Sequence, residues 1–309
     1  MMSQKLVVVF GVGPVGQGLA QAVAMSGCDV VLIDEAADKL EDSLVRITQA
    51  LDSEIARWGL TEGEKKSILN RIRTSTDLKE AAKASHVIET IPEGLEGKRQ
   101  LFSKLDAICP VETLLITNSA TITVTDTAAG MKHPERLIGM HFLNPVRKTP
   151  VVEVSRGTQT SDAALENAKR FAKMLDKTVI QVYEYPGLVT TRVFLPMLNQ
   201  AAKVLNEGIA SCADIDNAMK LGFGLNMGPF ALADQMGVDS LLSWMESLHH
   251  ETNDNAYLPS KLIRKMVRAG LYGIKSGRGF YRYGPDGRRI EGSGLSIREL
   301  SAPGAISQR

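Results

Sequence analysis

Two groups of residues in this chain have types and spacings that could do chemistry. His141 sits in His141-Phe142-Leu143-Asn144-Pro145, and Glu153 lies inside the apolar run Val151-Val152-Glu153-Val154. Either residue by itself is commonly structural. An acid within an apolar run needs a partner, because burying an unpaired carboxylate is costly, and His141 is a candidate for that partner. Such a pair makes an oriented general base. The carboxylate fixes the imidazole tautomer and stabilises the imidazolium once it has taken a proton.

The second group is Gly11-Val12-Gly13-Pro14-Val15-Gly16, which matches GxGxxG. Alone the pattern is weak. Here it follows a strand-like run, opens a helical one and precedes Asp34 at the end of the next strand-like run, the context that dinucleotide binding requires. Gly11 permits the tight turn, Gly13 lets backbone approach a pyrophosphate, and Gly16 allows close packing of helix on strand. The helix N-terminus adds N–H donors and the positive end of its dipole. Asp34 can accept hydrogen bonds from ribose hydroxyls and would repel a 2′-phosphate, so the expected cofactor is NAD rather than NADP.

These residues need elements to position them. Lys5–Phe10 and Asp29–Asp34 are short, β-branched and continuously apolar, as buried parallel strands are. Residues 14–26 have helical periodicity, and a long amphipathic stretch runs from about Ala36 to Arg73. The strand His86–Glu89, a helix around Gly97–Ile108 and the strand Leu114–Thr117 follow. Arg136–His141 and Val151–Ser155 are two further strand candidates bracketing a Pro-containing loop. Strands alternating with helices predict a doubly wound parallel α/β sheet over residues 1–185. From Thr190 the pattern is helical, with Gly279-Phe280-Tyr281 as the first strand-like segment, so a smaller all-helical domain is expected over 186–283. Turn-rich residues 284–309 read as a loosely structured tail.

Composition narrows the function classes. Over 309 residues, 36 Lys and Arg balance 35 Asp and Glu, so no overall basic field exists to attract nucleic acid. Cys28, Cys109 and Cys212 are odd in number and lack metal-ligand spacing, which points to a cytoplasmic location and to no metal site. His249-His250 are adjacent and face different directions, a poor arrangement for a shared metal. The first apolar run is too short to span a membrane. Trp58 and Trp244 read as packing residues.

Further blocks join these groups. They are Val87-Ile88-Glu89 leading to Glu93 and Lys98, Asn118-Ser119, and Pro186-Gly187 with Arg192. Leu198-Asn199, Met227-Gly228-Pro229 and the closing Gly-Arg-Gly-Phe-Tyr at 277–281 complete the set. With them the chain resembles the L-3-hydroxyacyl-CoA dehydrogenase family over about residues 5–283. The resemblance implies a Rossmann-type NAD-binding domain and a helical domain for substrate binding and homodimer formation. It implies His141 as the base, Glu153 as its orienting partner and Asn144 as a supporting polar group. It also implies that Glu93, Lys98 and Asn118 border the nicotinamide ribose.

The chain departs from the family at positions that bear on substrate. Thr191 stands where the family usually has Asn before the Arg, and Ala120, followed by Thr121, stands where it usually has a substrate-contacting Ser. Removing donors from a site built to hydrogen-bond its substrate changes discrimination. Arg147 and Lys148 enter the loop between His141 and Glu153, either as a solvated loop or as receptors for a compact anion. The expectation is therefore an NAD-dependent dehydrogenase acting on a small anionic, carboxylated substrate. Within the family the likeness runs to members that oxidise hydrated 5-formyl-3-hydroxy-2-methylpyridine-4-carboxylate in vitamin B6 degradation. The alternative is an L-3-hydroxybutyryl-CoA dehydrogenase. A third reading, a non-catalytic NAD-binding structural protein, is opposed by the intact His141 and Glu153.

Overall fold

The computed structural model describes residues 6–56 and 59–296. Trp58 and the end of the expected tail lie outside these residues. The chain divides into two compact units, Met1–Leu188 and Val189–Arg309.

The first unit contains eight strands: β1 (Leu6–Phe10), β2 (Asp29–Ile33), β3 (Ile72–Ser75), β4 (His86–Glu89), β5 (Leu114–Thr117), β6 (Leu137–Phe142), β7 (Val151–Arg156) and β8 (Thr178–Tyr183). Six helices accompany them: α1 (Pro14–Met25), α2 (Ala37–Ile55), α3 (Glu62–Asn70), α4 (Leu95–Ile108), α5 (Val124–Ala128) and α6 (Asp162–Met174). All eight strands form one sheet in the order β3-β2-β1-β4-β5-β6-β7-β8. Continuous apolar strands arise because both faces are covered. Val7 and Val9 of β1 pack with Leu19 and Ala20 of α1, whereas Val8 and Phe10 pack with Phe102 and Leu105 of α4. Sequence order reverses between β1 and β4, and in such sheets ligands bind at that crevice, beyond the carboxyl ends of the strands.

The structure differs from the sequence expectation in three places here. First, the stretch 36–73 is two helices and a strand. Thr61 and Glu64 form a capping box that starts α3, and Ile72 already pairs with Val30 in β3. Second, the sheet is mixed: β7 runs antiparallel to β6. Residues 143–150 are too few for the crossover that a parallel connection needs, which takes roughly a dozen residues or more. Third, β8 extends the sheet alongside β7; its residues Thr178–Tyr183 are largely β-branched and apolar yet mostly exposed, as on an edge strand.

The second unit is built from α7 (Thr190–Asn206), α8 (Cys212–Phe223), α9 (Pro229–Met236), α10 (Val238–Thr252) and α11 (Lys261–Arg268). Leu195, Leu198, Phe230, Met245 and Phe280 are among its fully buried residues. Gly279-Phe280-Tyr281 is flanked by isolated bridges, Arg278 with Arg282 and Tyr283 with Arg289, and forms no named strand. Within the described part of the segment expected to be a loose tail, Leu295 is buried and its N–H donates to the Phe280 carbonyl at 2.8 Å. Among the described residues no helix is long and apolar enough to cross a membrane, and no group of three His, Cys, Asp or Glu could hold a metal.

Candidate active site

The glycine-rich turn joins β1 to α1. Gly11 takes a φ of +93°, and a Cβ there would lie 2.8 Å from the Thr90 carbonyl. A Cβ on Gly16 would lie 1.9 Å from the Gly11 carbonyl, so the helix can rest on the turn only with glycine there. Gly13 is the N-cap of α1, and a Cβ on it would meet nothing within 4 Å. That open space beside an uncapped helix N-terminus fits a pyrophosphate approaching backbone N–H groups. Asp34 follows β2, half-buried, with Oδ1 accepting from the Ala36 N–H at 3.2 Å. Gly11, Gly13, Gly16 and Asp34 thus form a set that fits NAD.

Across the crevice, the antiparallel register sets His141 of β6 directly opposite Glu153 of β7. His141 Nδ1 lies 2.8 Å from Glu153 Oε2, with both side chains no more than 2% exposed. A carboxylate so placed accepts from Nδ1–H, which makes Nε2 the nitrogen that takes a proton. Asn144 lies two residues beyond β6, half-buried.

The residues expected at the nicotinamide ribose are gathered into a buried network. Asn118 Oδ1 accepts from the Phe142 N–H at 2.8 Å, pinning the end of the strand that carries His141. Glu93 accepts from Ser119 Oγ at 2.7 Å and from the Ala120 N–H at 3.0 Å. Lys98, 1% exposed, gives its ammonium to Glu89 at 2.6 Å and lies 3.8 Å from Glu93. Burial pushes the Glu89 carboxyl above the usual carboxylate range, against the pull of Lys98 and the Thr117 hydroxyl. Glu89 is a functional candidate that reasoning from motifs passed over. Its signal was present: a charged residue ends an otherwise apolar strand, as Glu153 interrupts one.

Positions expected at the substrate fare differently. Ala120 and Thr121 are 2% exposed, and the Ala120 carbonyl accepts from the Gly187 N–H at 2.7 Å. The Thr121 hydroxyl has no hydrogen-bond partner among the described residues. Thr191, in the second unit near the start of α7, is buried with its hydroxyl in the same condition. Lys148 is exposed. Arg147 forms an ion pair with Glu54 of α2 and is only 18% exposed. A guanidinium already matched by a carboxylate braces its loop and is a weaker receptor for a further anion.

A dinucleotide crevice with a histidine–carboxylate base beside it defines an NAD-linked oxidoreductase, and comparisons with known proteins agree. Residues 6–185 match the family model "3-hydroxyacyl-CoA dehydrogenase, NAD binding domain" and residues 187–283 match "3-hydroxyacyl-CoA dehydrogenase, C-terminal domain". The chain belongs to the 3-hydroxyacyl-CoA dehydrogenase family and is an NAD-dependent dehydrogenase. It is 43% identical over 282 residues to a probable 3-hydroxybutyryl-CoA dehydrogenase of Bacillus subtilis, covering 91% of this chain and 98% of the relative. The crystal structure of (S)-3-hydroxybutyryl-CoA dehydrogenase from Ralstonia eutropha is 39% identical, with a TM-score of 0.79 over 91% of this chain and 100% of that one. The 5-formyl-3-hydroxy-2-methylpyridine 4-carboxylic acid 5-dehydrogenase is a more distant neighbour, 25% identical with a TM-score of 0.70 over 92% of each chain. The expected link to vitamin B6 degradation is therefore not supported.

Proposed function

We propose that this protein interconverts L-3-hydroxybutyryl-CoA and acetoacetyl-CoA with NAD. The observation that supports this reading is the gap in similarity: about 40% identity along nearly the whole chain to 3-hydroxybutyryl-CoA dehydrogenases, against 25% to the pyridine-aldehyde enzyme. The pairing of Arg147 with Glu54 supports it too, since a guanidinium with a carboxylate partner is less available to a compact anionic substrate.

NAD, when bound, supplies the hydride acceptor. Gly11, Gly13 and Gly16 admit its pyrophosphate, and Asp34 receives its adenosine ribose. His141 takes the hydroxyl proton of the substrate at Nε2, while Glu153 holds Nδ1–H and offsets the positive charge that develops on the ring. In the reverse direction the imidazolium returns that proton to the carbonyl oxygen. Asn118, through the Phe142 N–H, and the loop that carries Ala120 and Thr121 hold the reacting end against this base. A homodimer is the expected assembly, checked by light scattering in solution.

The test is a comparison of NADH-linked turnover of acetoacetyl-CoA with that of 5-formyl-3-hydroxy-2-methylpyridine-4-carboxylate. Robust turnover of the CoA ester is expected. Turnover of the pyridine aldehyde alone would return the small-carboxylate reading. NADPH should be a poor substitute for NADH, and Asp34→Asn should narrow that preference.

A further inference from the structure

We propose that Glu89 and Thr90, where β4 ends, form a two-sided clip holding the cofactor turn and the catalytic loop at a fixed separation. Both are then positioning residues for the dehydrogenase reaction. The inference rests on the NAD chemistry of the family and on His141 as the base.

Thr90 holds the cofactor side. Its N–H donates to the Phe10 carbonyl at 2.8 Å, continuing the ladder between β1 and β4. Its hydroxyl donates to the Phe10 carbonyl at 2.8 Å, with the Gly11 carbonyl 3.1 Å away. The same hydroxyl would lie 2.8 Å from a Cβ on Gly11 and 2.9 Å from one on Gly16, so Thr90 fills the space that those glycines leave.

Glu89 holds the catalytic side. Oε1 accepts from Lys98 Nζ at 2.6 Å and from the Ile91 N–H at 2.8 Å, and Oε2 accepts from Thr117 Oγ1 at 2.8 Å. Thr117 directly precedes Asn118, which grips the Phe142 N–H beside His141. Lys98 also leans on Glu93, the acid that holds the Ser119 hydroxyl and the Ala120 N–H. Glu89 is fully buried and Thr117 is 1% exposed, so no water competes for these bonds and a displacement at one end passes to the other. Neighbouring residues on an extended chain point to opposite sides, which lets two adjacent positions serve two different loops.

The two halves of the clip should fail in different ways. Thr90→Val keeps the shape and removes the hydroxyl; it should raise the Kd for NADH roughly three- to tenfold, the loss expected for one hydrogen bond, a larger change than its effect on kcat at saturating NADH. Thr117→Val should lower kcat with acetoacetyl-CoA by about tenfold to a hundredfold through misplacement of the base, at little cost in NADH Kd. Thr117→Ser keeps the hydroxyl and should recover most of that loss. Glu89→Gln should act like Thr117→Val, with a larger drop. If Glu89→Gln does not fold, Thr117→Val decides, because it leaves both buried charges paired. Parallel changes in Kd and kcat for all the variants, or a Thr117→Val enzyme with normal kcat, would overturn the clip. If the unmodified protein turns over no acetoacetyl-CoA, the substrate reading fails. The clip is then judged by the fluorescence of bound NADH. Thr117→Val should shift that emission at unchanged Kd, and an unshifted emission would overturn it.

Discussion

Both units of this protein bury carboxylates, and their partners separate acids that support chemistry from acids that support the fold. In the nucleotide-binding unit, Glu153 meets the His141 imidazole and Glu89 meets the Lys98 ammonium. In the helical unit, Asp216 accepts from the Phe230 and Ala231 N–H groups at the start of α9 and from the Tyr281 hydroxyl at 2.8 Å. Asp234 accepts from the Phe280 and Tyr281 N–H groups and from the Tyr283 hydroxyl. All four acids are no more than 2% exposed. Burial therefore does not distinguish them. A carboxylate facing an imidazole or an ammonium can hold positive charge on that partner, whereas one facing peptide N–H groups and a neutral phenol fastens those donors in place. Two blocks that carry the family resemblance prove structural by this measure. A Cβ on Gly279 would lie 2.0 Å from Asp234 Oδ1, and one on Gly228 would lie 2.3 Å from the Asp216 carboxyl carbon.

The sharpest break of this contrast is at His141. His141→Asn should lower kcat by about 10²–10⁴, the usual contribution of a general base, while NADH binding stays near that of the unmodified protein. A His141→Asn protein with normal turnover would move the base elsewhere.

The opposite signature belongs to Asp234. Asp234→Ala leaves three buried donors without an acceptor, at about 1–3 kcal/mol each, so the helical unit should melt several degrees lower or fail to fold. A substitution that removed activity without lowering the melting temperature would erase the distinction drawn above.

Acidity gives a gentler probe. Burial pushes the Asp234 carboxyl up to about 7, against an ordinary value of 3.8 and against its three donors. The folded state then holds a proton that the unfolded state releases. The contribution of this group to stability is complete below about pH 4 and declines as pH rises through about 7. Denaturant midpoints for the unmodified protein should therefore lose that increment between about pH 4 and 7, and Asp234→Asn should flatten the dependence. A profile that is identical in both proteins would mean that the donors, not burial, set the charge.

The smallest effect is expected at Arg147. With its ion pair to Glu54 part-exposed, Arg147→Ala should cost less than about 1 kcal/mol of stability and leave KM for acetoacetyl-CoA near its starting value. A sharp rise in KM would restore Arg147 to the substrate site.

Much of this was legible in the residues. Continuous apolar runs announced β1, β2, β4 and β5, because a strand covered on both faces has no polar side. The strand β3 was lost inside an amphipathic stretch, since Ile72-Arg73-Thr74-Ser75 is too short and polar to stand out. The outer strand β8 was missed although Thr178-Val179-Ile180-Gln181-Val182-Tyr183 has strand-forming residue types. Asp216 and Asp234 gave no signal as buried groups, since their partners are backbone donors that every residue possesses.

The sequence by itself determined the glycine turn, the acid placed after β2 and the residue types of the histidine–carboxylate pair. Each rests on local conformation or on the chemistry of one side chain, and a short window of residues carries both. Tertiary structure decided which groups meet. The antiparallel return of β7 set Glu153 opposite His141, the packing of α2 gave Arg147 to Glu54, and the end of β4 brought Glu89 to Lys98 and Thr117. His141 and Glu153, twelve residues apart, were already paired as an expectation from the sequence. The register that sets them opposite, and the partners of Arg147 and Glu89, follow from how the sheet and its helices close over a common core.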